Sequence, residues 1–162
     1  MATLTAWKFE DATGAATALD ILDELQRQEL IHVLDGAWVT WPADRSKPAT
    51  HQLGHSGAAG AIGGTFWGLL FGLIFFVPFL GMAVGAAVGA LAGSLREVGI
   101  DEHFIEGVRE QVTPGTSALF LLTEAAVIDK VQEAFAGLRP ELVSSNLSSE
   151  QEAKLREAFG ED

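Results

Sequence analysis

Residues 57 to 95 read GAAGAIGGTFWGLLFGLIFFVPFLGMAVGAAVGALAGSL, and no charged side chain occurs anywhere from residue 48 to residue 95. A bilayer core about 30 Å thick is crossed by roughly 20 apolar residues in a helix, so this neutral stretch has room for two crossings and a short connection. Proline disfavours helix in the residue before it, which places the turn of the hairpin at Pro78. The expected elements are one helix over 57–77 and a second over 79–95. Gly and Ala dominate the second, so it inserts as a partner of the first and not on its own hydrophobicity.

Within the hairpin, glycine recurs at Gly60, Gly64, Gly68 and Gly72, and again at Gly81, Gly85, Gly89 and Gly93. Four residues make just over one helical turn, so each run forms a flat stripe where another backbone can approach closely. In lipid the tails compete equally for apolar side chains, leaving close packing and weak Cα–H contacts as the drive for association. Each glycine also costs a helix roughly 1 kcal/mol relative to Ala, so packing has to compensate for keeping them. These eight glycines are the candidate helix-packing and oligomerisation residues. The two stripes face each other within one hairpin, or at least one of them, or the Ala86, Ala87 and Ala90 flank, faces neighbouring subunits of a homo-oligomer.

Outside the neutral stretch the chain is acidic. Ten Lys and Arg stand against 22 Asp and Glu in 162 residues, a formal net charge of −12, which disfavours a phosphate-neutralising nucleic-acid binder. With no Cys, disulfides, thiolate catalysis and thiolate metal sites are all excluded. The mean hydropathy of +0.24 beside 20% charged residues requires apolar and charged residues to be segregated along the chain.

Before the hairpin, 4–9 reads as a strand, and 12–28 as a helix with Ala15, Ala18, Leu19, Leu22 and Leu25 at helical spacing. A second strand is expected over 31–41 and a third over 49–53. After it come a helix ending near Gln111, a Thr113-Pro114-Gly115-Thr116 turn, a strand over 117–122, a helix over 125–137 and a strand over 141–147. Ser149 with Glu152 three residues on has the spacing of a capping box for a last helix. The expected fold class is α+β. The first six elements form a ferredoxin-like βαββαβ domain, the membrane hairpin is an insertion, and the C-terminal helix is an addition. Residues 1–53 and 99–162 then supply the two halves of the domain, and 54–98 the hairpin.

Few residues invite chemistry. His51 and His55 are four apart, a spacing known from metal sites, but no third ligand is evident and polar interface residues are the plainer reading. His103 sits among Asp101, Glu102 and Glu106 as part of a solvated first turn. Ser117 lacks the Gly-x-Ser-x-Gly elbow of a nucleophile, and no phosphate loop or dinucleotide fingerprint occurs. Trp38 and Trp41 read as core packing or as headgroup-level belt residues, and Trp67 as a lipid or subunit contact. The expectation is a non-enzyme with no cofactor, no metal and no known small-molecule substrate.

Met1 to Glu10 lacks the basic start and apolar core of a signal sequence. A two-crossing hairpin returns both flanks to one face, and Arg45, Lys47, Arg96 and Arg109 lie on those flanks while the tip has neither Lys nor Arg. This places the protein in the cytoplasmic membrane with both termini cytoplasmic, and Trp67 and Arg96 at the membrane interface.

Four motifs carry a family resemblance: Thr65-Phe66-Trp67-Gly68-Leu69-Leu70-Phe71-Gly72, Pro78-Phe79-Leu80-Gly81, Gly99-Ile100-Asp101-Glu102-His103-Phe104-Ile105 and Pro114-Gly115-Thr116-Ser117-Ala118-Leu119-Phe120. Together they resemble a bacterial and archaeal family of predicted membrane proteins known only as a domain of unknown function. The resemblance extends from about His51 to Phe159 and implies membrane association and the same α/β frame, with no catalytic residues to carry over. The expected function is a small integral membrane protein, partnered by lipid and by copies of itself, that assembles through its glycine-zipper helices. One alternative is a membrane pore, for which the stripe offers only Ser56, Thr65 and Ser94 as polar lining. Another is a closed particle with the hairpins buried inside, since apolar surface hidden in a multimer behaves like surface hidden in a bilayer.

Overall fold

The computed structural model of the chain describes residues 2–31, 33–46, 48–52, 67, 70–76, 100, 102–124 and 128–147. It is a mixed α+β structure. A five-stranded sheet is built from β1 (Ala2–Phe9), β2 (Val33–Thr40), β3 (Ala49–Gln52), β4 (Ser117–Glu124) and β5 (Glu141–Leu147). The helices are α1 (Gly14–Arg27), α2 (Glu102–Gln111) and α3 (Ile128–Ala134), with a π-helical turn at Gly72–Phe76. Helix two of the expected hairpin, over 79–95, and the C-terminal helix from Ser149 lie outside the described residues.

The strands are ordered β3-β2-β4-β1-β5, and every neighbouring pair is antiparallel. This differs from a βαββαβ frame built on the first six elements, in which the third strand lies between the first two. Here β4 takes that place and β3 is the edge. Composition explains the exchange. A central strand is buried on both faces and needs apolar residues in succession, which Ala118-Leu119-Phe120-Leu121-Leu122 provides. Ala49-Thr50-His51-Gln52 is short and polar, and suits an edge.

Alternation along the strands separates two apolar layers. Leu4 and Ala6 of β1, Ala37 and Val39 of β2, and Ala118, Phe120 and Leu122 of β4 join one cluster with Phe104, Ile105 and Val108 of α2. Trp7 and Phe9 of β1 and Leu119 and Leu121 of β4 join the other, covered by Ala15, Ala18 and Leu22 of α1 and by Val131 and Phe135. Phe135 meets Trp7 and Phe9 edge-on, with ring centroids 5.5 and 5.9 Å apart. The β2–β4 register slips between Val33 and Asp35, and a one-residue slip sends the following side chains to the opposite face. Val33 accordingly lies in the α1 layer while Ala37 and Val39 lie in the α2 layer.

Ser117 is structural. Its buried hydroxyl accepts from the Ala15 N–H at 2.8 Å and donates to the Asp11 carbonyl at 2.8 Å, tying the start of α1 to the start of β4. Removing one partner of a buried hydrogen bond leaves the other with its desolvation cost. Ser117→Ala is therefore expected to lower stability by about 1–3 kcal/mol in a denaturant titration. An unchanged midpoint would show that the hydroxyl is dispensable.

Candidate functional site

The most informative region is where the neutral stretch meets the sheet. Trp67, Leu70, Phe71, Ile74 and Phe75 follow one another at helical spacing, and all five are buried in the α2 layer. Phe71 packs edge-on against Phe120 of β4, with centroids 5.1 Å apart, and Phe75 does the same with Trp41 at 6.1 Å. The rings also meet at a tilt along the segment, Trp67 and Phe71 with centroids 6.0 Å apart and Phe71 and Phe75 6.1 Å apart. Trp67, expected at a membrane interface, is 1% exposed within this packing.

Gly72 is the one described member of the expected glycine runs. A methyl group added there would meet none of the described residues within 4 Å, so its face is turned away from the aromatic contact with the sheet. Gly60, Gly64, Gly68, Gly81, Gly85, Gly89 and Gly93, the hairpin turn Pro78, and Arg96 lie outside the described residues.

The π turn beginning at Gly72 widens the helix and loosens its usual hydrogen-bond ladder. Arg109 of α2 supplies a donor to it, its Nε–H reaching the Ile74 carbonyl at 3.0 Å. Beside this bond is an open cleft of about 170 Å³ lined by Trp41, Ile74, Phe75, Arg109, Val112 and the Thr113–Pro114 turn. Pockets for drug-sized ligands run to roughly 300–1,000 Å³, so this cleft has the scale of a single small ring.

The wall of the cleft is rigid for identifiable reasons. Thr113-Pro114-Gly115-Thr116 has proline second and a glycine with φ of 89° third, as a type II turn demands, closed by a Thr116 N–H to Thr113 carbonyl bond of 3.1 Å. The Gly115 N–H donates to the Trp41 carbonyl at 2.6 Å, and the Trp41 N–H to the Thr116 carbonyl at 3.0 Å. The Trp41 indole N–H donates to the Arg45 carbonyl at 3.0 Å. Trp41 is thus held on three sides as a core residue, one of the two roles its sequence suggests.

His51 stacks on Trp38 across the β2–β3 pair, with rings 4.8 Å apart and 25° from parallel. Its expected companion His55 lies outside the described residues. Among the described residues no group of three or more His, Cys, Asp or Glu could hold a metal ion, and no helix is long and apolar enough to cross a membrane.

Residues 61–160 match the model of the family described as Protein of unknown function (DUF1269). The chain is a member of the DUF1269 family. No curated protein and no solved structure matches it. The DUF1269 segment takes in the π turn, α2, β4, α3 and β5, and begins after β1, α1, β2 and β3. Yet β4 and β5 are not neighbours: β1, from outside the segment, pairs with both. The sheet of this DUF1269 member is complete only with its first 52 residues.

Sequence reasoning missed the docking of 67–75 on the sheet. The signal was present in the spacing of Trp67, Leu70, Phe71, Ile74 and Phe75, which marks one apolar face beside the glycine stripe.

Proposed function

We propose that this DUF1269 protein is a non-enzymatic, self-assembling protein of the cytoplasmic membrane, in which glycine-faced helices of the neutral stretch pack against other copies. The observation that carries this is the division of labour on the segment around Gly72. Its aromatic face is spent on the sheet, and the glycine face has open space beside it among the described residues. A glycine kept in a helix despite its propensity cost, with no close neighbour among the described residues, is well suited to a neighbour from another copy.

The finer frame of the domain belongs to the same proposal. β1, α1, β2, β4, α3 and β5 follow the order of a ferredoxin-like unit, with sheet order β2-β4-β1-β5 and both helices on one face. On this reading β3, the neutral stretch and α2 are an insertion between the unit's second and third strands. Both termini would lie on the cytoplasmic side, with the charge-free residues from 77 to 95 available to lipid.

The test is assembly size. Gly72→Leu adds a side chain where the described residues leave room, so the folded unit should keep its melting temperature while the particle seen by light scattering in detergent shrinks. Gly85→Leu with Gly89→Leu should shrink it likewise. Unchanged size in both variants would dispose of the glycine interface.

A second reading, the closed particle, is favoured by one observation. Trp67, Leu70, Phe71, Ile74 and Phe75 are covered by protein, which leaves less apolar surface for lipid to cover. Carbonate washing separates the two: a large species released into the supernatant supports the particle, and retention in the pellet supports the membrane.

A further inference from the structure

Proline has no N–H whatever its conformation, and at Pro78 that lack falls on one particular carbonyl. In an α-helical ladder running on past Phe76, the donor to the carbonyl of Ile74 would be the N–H of residue 78. Proline withholds that donor, and in a helix its ring also crowds the carbonyl four residues earlier, which is again that of Ile74. Two features at Ile74 answer these demands. The helix is opened there into the π turn Gly72–Phe76, and the Ile74 carbonyl accepts the Arg109 Nε–H at 3.0 Å. Ile74 is wholly buried, so its carbonyl needs a donor from the protein.

We propose that Arg109 is the positioning residue of the neutral tract: it supplies the hydrogen bond that Pro78 cannot, and so fastens the 67–76 segment to the α/β domain at one fixed place. Arginine suits the task. A hydrogen bond from a charged donor is roughly twice as strong as a neutral one, and Val108 and Val112 on either side of Arg109 are buried in the α2 layer, which anchors its main chain. The aromatic rings of the segment supply area against the sheet, but apolar contacts tolerate sliding. A buried polar pair specifies one register. This fastening is a property of the folded chain and does not depend on what meets the glycine face.

The test is a double-variant cycle on the full-length protein, read by amide hydrogen exchange. Arg109→Met keeps an unbranched apolar stem and removes the donor. Exchange over 70–76 is expected to quicken by roughly ten- to a hundredfold, the effect of losing a hydrogen bond to a charged group, while β4 over 117–124 keeps its parent rate. Pro78→Ala restores an N–H at residue 78. In that background Arg109→Met should change exchange over 70–76 by no more than about twofold, the scatter of independent sites. An equal acceleration in both backgrounds would overturn the proposal, because Arg109 would then act by packing and not in place of the proline. Parent-like exchange in Arg109→Met with Pro78 present would overturn it as well. Should Arg109→Met alone fail to fold, the double variant is expected to fold, and its failure counts equally against the proposal. The same coupling should persist in a Gly72→Leu background, whose assembly size tests a different contact.

Discussion

Phe71→Ala is expected to lower the unfolding free energy of the α/β domain by about 3–5 kcal/mol, the usual cost of truncating a buried phenylalanine. The ring is 4% exposed and meets Phe120, a wholly buried residue of the central strand β4. Such a loss takes a large share of the 5–15 kcal/mol that typically holds a domain together. Denaturant unfolding followed by circular dichroism measures it. The result also bears on function. If the neutral stretch left the sheet to sit in lipid, the substitution would leave the domain's stability nearly untouched, and the glycine face would no longer be oriented by the sheet.

Gly14→Ala should destabilise by about 1–3 kcal/mol, the range for overpacking a well-filled site. The sign is the informative part. In an open helical position this exchange stabilises by roughly 0.5–1 kcal/mol, because Ala restricts the unfolded chain and favours the helix. At the first turn of α1, however, the new methyl group would collide with Cβ of Phe9 and crowd its Cγ. Phe9 cannot retreat easily, since its ring is buried against Phe135. Steric cost therefore outweighs propensity, and the melting temperature should fall. A rise would show that the β1–α1 corner yields freely.

The local pattern of the chain is legible because it depends on neighbours in sequence. The spacing of Ala15, Ala18 and Leu22 foretells the buried face of α1, and β5 occupies the residues expected of it. Strand neighbours are a different matter, since alternation specifies which side chains are buried but not which strand lies alongside. The contrast between the apolar run of β4 and the polar β3 held that information, as burial on both faces requires it. The aromatic segment 67–75 was harder. An apolar face looks the same to the sequence whether a sheet or a lipid tail covers it, and only the partner differs. Of the glycine runs, Gly72 alone lies among the described residues, and a Cβ added there would meet none of them within 4 Å.

The pairing of β1 with β4 has a consequence for biosynthesis. Phe9 ends its strand and Ser117, its partner in register, begins the other 108 residues later. At roughly 5–20 residues per second, a ribosome takes on the order of 5–20 s to deliver the second strand after the first. During that interval the uncharged tract emerges before Phe120, the β4 residue that will receive Phe71, has been made. Nascent-chain factors that recognise greasy segments thus have an opportunity to bind the tract before its partner strand β4 is available.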